Sequence, residues 1–212
     1  PNIYEHWISR NILAYIRAAM GDLDRGTVLE FINRPKRYIS RDALETSPVS
    51  WEKVKSFYQD KDWIAERVEQ LEFDLSAIGR LKPAAAVNYI RKAVGYNDYL
   101  REYARFRRMK EEELLEVADQ LQESAAGFQS FSDWFAHMEE YGKELEAQAR
   151  TQTEPDPDRD GVALMTMHGS KGLEYRIVYI IDANEGITPH RKAVLEADLE
   201  EERRMFYVAM TR

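Results

Sequence analysis

Two stretches toward the C-terminal end concentrate side chains that could do chemistry. Leu164-Met165-Thr166-Met167-His168-Gly169-Ser170-Lys171-Gly172-Leu173-Glu174-Tyr175 sets a hydroxyl, an imidazole, an ammonium and a carboxylate around two glycines. Glycines let backbone N–H groups approach a ligand closely, and loops of this kind often meet phosphate. The Gly-x-x-x-x-Gly-Lys-[Ser/Thr] spacing of a phosphate-binding loop is absent here and elsewhere in the chain. Taken alone, the stretch reads equally well as a surface turn. The second stretch, Glu200-Glu201-Glu202-Arg203-Arg204-Met205-Phe206-Tyr207-Val208-Ala209-Met210-Thr211-Arg212, opens with acidic residues that suit the positive end of a helix dipole and closes on an arginine. Taken alone, it reads as an amphipathic helix with a charged outer face.

Basic residues form two further groups that could meet phosphate as charges: Arg34, Lys36, Arg37 and Arg41, then Arg101, Arg105, Arg107, Arg108 and Lys110. The acidic runs Glu111–Glu113 and Glu200–Glu202 can balance them as solvated surface, and for the second group this is the stronger reading. His6, His137, His168 and His190 show no metal-ligand spacing, so no metal site is expected. Tyr96, Tyr99 and Tyr103 could stack on bases, but their helical spacing favours core packing.

The elements that must position these groups are mostly helical. Trp7, Ile8, Ile12, Leu13, Tyr15, Ile16, Ala19 and Met20 recur at helical spacing, with Gly21 placed to end the helix. A short helix through Val28, Leu29 and Ile32 stops before Pro35. Helices are predicted at about Trp51–Tyr58 and Trp63–Leu81, then at Ala84–Val94, opened by Pro83 and closed by Gly95. Asn97 is placed to cap Asp98–Arg108. Leu114, Leu115, Ala118 and Leu121 mark another helix, ended by Gly127, and Ser130 with Asp133 resembles a capping box for one carrying Trp134, Phe135, Met138 and Leu145. Thr151–Gly161 is polar, holds two prolines and reads as a linker. Beyond it, Val162–Met167 and Ile177–Ile181 are short apolar runs that predict buried strands, followed by a helix at about Leu199–Thr211.

With 44% hydrophobic and 32% charged residues over 212 positions, the chain reads as a soluble globular protein of one or two units. No run approaches the length needed to cross a bilayer, Pro1–Arg10 lacks a signal-peptide pattern, and no membrane association is expected. There are no cysteines, which excludes disulfides, thiolate metal sites and cysteine nucleophiles and fits an intracellular, cytoplasmic location. A net charge of −8 weighs against the whole surface binding nucleic acid and places any such role in local clusters.

Together the two C-terminal stretches carry a resemblance. Thr166–Tyr175 resembles motif V of the UvrD-like (superfamily 1) DNA helicases and Glu201–Arg212 resembles their motif VI, in the family's order. Glu185-Gly186-Ile187-Thr188-Pro189 between them resembles the family's Glu-Gly-x-x-Pro turn. Asn11–Arg17 and Phe31–Arg37 resemble the segment leading into the family's inserted helical subdomain, 2B.

The resemblance implies a fragment of an ATP-dependent DNA helicase that translocates on single strands and unwinds duplex. The implied fold is mainly α: a helical bundle subdomain, then a partial RecA-like α/β unit with a small parallel sheet. Residues 1–41 would be lead-in helices of the second motor domain, 42–150 the inserted subdomain, 151–161 a linker, and 162–212 part of motor domain 2A. Thr166 and His168 would face DNA, Glu174 would accept from the ATP ribose, Lys171 would lie between them near nucleotide, and Arg212 would reach the γ-phosphate as the catalytic arginine. Arg203 and Arg204 would make ion pairs that seat their helix. Arg34, Lys36 and Arg37 would meet DNA phosphates.

The implied partners are single-stranded DNA, single-strand/duplex junctions, the first motor domain of the same chain and repair proteins. ATP and Mg2+ would belong to the full-length protein, with neither bound by this portion alone. One departure stands out: where the family continues Pro-Lys-Arg into Gly-Ile-Gly, this chain has Tyr38-Ile39-Ser40, which removes the open backbone approach that glycines provide. No phosphate-binding loop and no paired acidic magnesium motif is present, so the chain alone is expected to hydrolyse nothing. A partner-binding helical module of a DNA-repair protein is the alternative, and a helicase–nuclease parent would use the same motor motifs.

Overall fold

The computed structural model describes residues 2–151, 162–184, 187–189, 193 and 195–211, with 148–151 as backbone alone. The chain divides into two compact units, Pro1–Glu154 and Pro155–Arg212.

The first unit is built around α1, Trp7–Ala19. Ile8, Ile12, Tyr15 and Ile16 repeat on one helical face and are fully buried, and Leu13, Ala14 and Ala18 bury much of the remainder. Burying each large aliphatic chain contributes about 1.5–3 kcal/mol, which makes α1 the axis of the core. Its end is set by Gly21 at φ 103°, which lets the Gly21 N–H reach the Ala18 carbonyl and the Asp22 N–H reach that of Arg17, both at 3.0 Å. Around α1 pack α2 (Arg25–Phe31), α4 (Asp62–Ile78), α5 (Pro83–Lys92) and α7 (Glu111–Ser124), while α3 (Trp51–Phe57) leans on α4 and α6 (Tyr96–Arg107) on α5 and α7.

Pro83 occupies the first turn of α5, where its missing N–H costs nothing. Gly95, at φ 89°, turns the chain directly into α6, so the helix starts at Tyr96 and Asn97 is inside it rather than its cap. Asn97 instead accepts from Arg91 Nε at 3.2 Å. Arg91, nearly buried, also donates to Asp119 at 2.6 Å and Gln122 at 2.8 Å, which ties α5, α6 and α7 together. Ser130 precedes α8, Phe131–Thr151, and accepts from the Asp133 N–H at 3.2 Å while donating to its carboxylate at 2.7 Å.

His6 caps α1 by accepting the Ile8 N–H on Nδ1 at 3.3 Å. Burial holds its pKa below the ordinary imidazole value, so the folded chain favours the neutral ring that can accept. As pH falls through about 6.5 the unfolded chain takes up a proton more readily than the folded one. The cap's contribution is therefore complete above that pH and lost as pH falls toward the folded-state pKa. Denaturation midpoints are expected to drop as pH falls below about 6.5. His6→Asn, which caps without titrating, removes that component; an identical pH profile in the variant contradicts the assignment.

The second unit departs from expectation. The small parallel sheet does not form: among the described residues there is no strand, and the observed secondary structure is helical. Val162–Met167 and Ile177–Ile181 run as irregular chain, with Val162 98% and Tyr179 85% exposed. A strand exists only through its ladder, and buried parallel strands need neighbours on both sides, which two short runs cannot supply to each other. What does form is a single turn at His168–Ser170 and α9, Glu196–Met210. No helix of the described residues is long and apolar enough to cross a membrane.

Candidate nucleic-acid interface

In the first unit the basic group sits on the turn that follows α2. Asn33 organises this turn: its side-chain oxygen accepts the N–H of Arg37 at 3.2 Å and of Ile39 at 3.1 Å, and its amide donates to the Ile39 carbonyl at 2.7 Å. At the far side, Tyr58 accepts the Ser40 N–H at 2.7 Å and donates to the Ser40 hydroxyl at 3.1 Å. Five backbone or hydroxyl bonds thus fix the path of a short segment that has no regular structure of its own.

The three basic residues of the turn have different fates. Arg37 is buried, at 7% exposure. Its guanidinium donates to the Ile32 carbonyl at 2.9 Å and the Tyr15 hydroxyl at 2.8 Å, with longer bonds to Phe31 and Pro35 carbonyls, and lies 5.6 Å from the Tyr15 ring centre. A cation among the last carbonyls of a helix is well placed. Tyr15 passes the connection on by donating to the Arg34 carbonyl at 2.8 Å. Burial raises the Tyr15 phenol's pKa and the Arg37 cation beside it opposes the rise, so the hydroxyl stays protonated and able to donate. Arg37 is a plug inside the turn, its guanidinium engaged by protein acceptors.

Arg34 is half-exposed and lies 3.6 Å from Glu30, which also accepts from Arg10 at 2.6 Å and from buried Asn11 at 3.3 Å. Asn11 in turn accepts from the Tyr96 hydroxyl at 2.9 Å, so Arg34 is the outer end of a polar chain running into the core. Lys36 is exposed at the tip and forms no ion pair among the described residues, and Arg41 is likewise exposed. Lys36 is therefore the cation of this turn most available to phosphate.

Tyr38 follows, where the two glycines of the resemblance are missing. It nevertheless adopts φ 62°, the left-handed conformation that glycine takes freely and a tyrosine takes at a cost of about 1–2 kcal/mol. The turn keeps a glycine-like backbone path with an aromatic side chain standing on it. Sequence reading missed this ring and its neighbours Trp63 and Arg67. The signal was split between the turn, which carries Tyr38, and α4, which carries Trp63 and Arg67, and only the packing of α4 against the turn brings them together.

In the second unit, Thr166 to Leu173 forms a compact turn. The Thr166 hydroxyl accepts the Gly169 N–H at 3.1 Å, which leaves its own proton free to donate. Ser170, the one buried residue here, donates its hydroxyl to the Met167 carbonyl at 2.7 Å. Gly172 at φ 89° turns the chain outward. A Cβ at Gly169 would lie 3.2 Å from the Thr166 oxygen, a tight approach that the exposed Thr166 side chain would have to ease. His168, Lys171 and Glu174 are exposed, and neither Lys171 nor Glu174 is in an ion pair among the described residues. The turn thus presents a hydroxyl, an imidazole and an ammonium outward on a short arc, a set that can bond phosphate oxygens without reading base sequence.

On α9, Glu200 accepts from Arg203 at 2.7 Å and Arg204 at 3.4 Å. These are exposed pairs within one helix, and the Arg203 hydrogen bond holds the Glu200 carboxyl below its usual range. Such pairs add little to stability. Thr211 closes the helix by donating to the Val208 and Tyr207 carbonyls. Arg212, Glu185, Gly186, His190 and most of the linker lie outside the described residues. No group of three or more His, Asp or Glu among the described residues is arranged to hold a metal ion.

The model of the UvrD-like helicase C-terminal domain matches residues 3–212, and the chain belongs to that family. ATP-dependent DNA helicase Rep of Salmonella typhimurium is 30% identical over 232 residues, covering 96% of this chain and 32% of that protein. ATP-dependent DNA helicase PcrA of Bacillus subtilis is 28% identical over 239 residues, covering 99% and 30%. Rep of Buchnera aphidicola subsp. Schizaphis graminum is 54% identical over 54 residues, 26% of this chain and 8% of that protein. The chain spans about a third of the length of the curated relatives it matches.

Proposed function

We propose that this chain is the C-terminal portion of an ATP-dependent DNA helicase, in which it supplies part of the second motor domain and the helical subdomain inserted into it. The observation that carries the reading is the pairing of Thr166–Tyr175 with Glu201–Arg212 in a chain that matches the family over 3–212. Residues 42–150 are the inserted subdomain and 162–212 the motor portion.

Within that portion Thr166 and His168 hold the DNA backbone, donating to phosphate oxygens from the turn that Gly169 closes. Glu174 accepts from the ribose of ATP, with Lys171 beside the nucleotide. Arg212 reaches the γ-phosphate, where a guanidinium offsets charge that develops as the phosphoryl group leaves. Mg2+ accompanies ATP and offsets phosphate charge when bound; no described residue of this chain is assigned to it. Lys36, with Arg34 behind it, meets DNA phosphate from the helical unit, while Arg37 holds the turn in shape. The natural substrate is single-stranded DNA and its junction with duplex.

The test is ATP hydrolysis. The 212-residue chain alone lacks the phosphate-binding loop and turns over no ATP, with or without DNA, whereas the longer protein containing it hydrolyses ATP in a DNA-stimulated manner and separates strands. DNA-stimulated turnover by the chain alone, or a longer protein that neither hydrolyses ATP nor binds DNA, sinks the proposal.

A further inference from the structure

Tyr38, Trp63 and Arg67 form an exposed cluster on the first unit. Trp63 stands on the first turn of α4 and Arg67 one turn later, so the two share a face of that helix. The Tyr38 and Trp63 ring centres are 5.7 Å apart with planes at 72°, and the Arg67 guanidinium lies 5.2 Å from one centre and 4.8 Å from the other. Tyr38 remains 61% and Trp63 47% exposed. Arg67 is exposed and forms no ion pair among the described residues.

Three features of this cluster point outward rather than to packing. Two large rings that bury this little return only a fraction of what their burial would contribute. Tyr38 holds a left-handed backbone, a strain of the kind that clusters at ligand-binding positions. The Arg67 guanidinium lies over both rings and meets no hydrogen-bond acceptor among the described residues, and exposed Lys36 stands two residues before Tyr38 in the chain. Exposed rings with a cation over one face, and a second cation close in the chain, are a combination that can stack on nucleobases while meeting the adjoining phosphate.

We infer that Tyr38, Trp63 and Arg67 are a stacking site for an unpaired nucleobase, with Lys36 on the neighbouring phosphate. The inference rests on the DNA reading above and replaces a backbone contact, which the missing glycines would have offered, with a ring contact. Because stacking accepts any base, the site reads no sequence; it selects bases that are free to leave a stack. At a single-strand/duplex junction those are the first bases of the unpaired arm.

Tyr38→Gly is the diagnostic variant. Glycine adopts φ 62° without strain, so the fold is kept or stabilised while the ring is lost. Tyr38→Phe keeps the ring and serves as the conservative control. The chain is titrated into a junction carrying 2-aminopurine at the first unpaired position, with anisotropy of a distant label read in parallel, and into a junction with the same base inside the duplex.

The expected result is quenching of the unpaired 2-aminopurine by the wild-type chain and Tyr38→Phe, none of the internal one, and loss of quenching in Tyr38→Gly, whatever its affinity, since the new glycine also opens the backbone to phosphate. Quenching by Tyr38→Gly equal to that of the wild-type chain overturns the stacking site and leaves the DNA reading standing. No anisotropy change with any DNA overturns both.

Discussion

Replacing Arg37 with alanine is expected to destabilise the helical unit by about 3 kcal/mol, in the range that follows removal of a buried charged donor from several acceptors. The variant strips donors from the Ile32 carbonyl and the Tyr15 hydroxyl, and opens a void beneath the turn. Two acceptors with no route to water then remain in an apolar surround. Arg37→Lys restores the charge but cannot span the carbonyls and the phenol at once, so it recovers less than half. Lys36→Ala, one position away on the exposed tip, shifts stability by under about 0.5 kcal/mol. Urea denaturation followed by circular dichroism measures all three; Arg37 and Lys36 variants with equal midpoints would show that the plug is not structural. The contrast also governs how DNA contact is tested, because weakened binding in an Arg37 variant reports on the turn's shape as much as on phosphate.

If the longer protein is the helicase proposed above, replacing Arg212 with alanine in it is expected to lower ATP turnover by about a thousand-fold or more, the scale of an arginine finger in related phosphoryl transfer. The loss falls on kcat, since the guanidinium contributes most where charge develops, and nucleotide binding changes much less. Arg203→Ala or Arg204→Ala, which break exposed pairs to Glu200, leave turnover within a few-fold of wild type by the small weight of such pairs. Steady-state kinetics separate the cases. An Arg212→Ala protein with near-normal kcat removes the arginine from the chemistry.

The helical unit was legible because its signals are local. The α1 stripe and its Gly21 ending, Pro83 opening α5, and Ser130 capping α8 each rest on residues a turn apart. The start of α6 was misplaced at Asn97 because capping propensity favours Asn, whereas Gly95 at positive φ already completes the turn and Asn97 serves Arg91 instead. The sheet was misread for a different reason: β-branched apolar runs report a preference for pairing, but whether a partner is there to pair is not written in the run. The fate of Arg37 was illegible too. Lys36 and Arg37 are adjacent and chemically alike, yet Tyr15, twenty-two positions earlier, draws one inward and leaves the other in water. The Thr166 and His168 positions were readable only as a motif, since their turn depends on the Thr166–Gly169 hydrogen bond, which spacing suggests but does not require.

The most direct measurement is fluorescence anisotropy of a labelled single-strand/duplex junction titrated with the 212-residue chain across a salt series. The account predicts binding at low salt that weakens steeply with salt, each phosphate contact steepening log affinity against log salt by about 0.9 for duplex or about 0.7 for single strands. Lys36→Ala lowers that slope by about one contact without changing the denaturation midpoint. Failure to bind the junction at low salt, by a chain whose folded state is verified, would contradict the assignment of this unit to DNA.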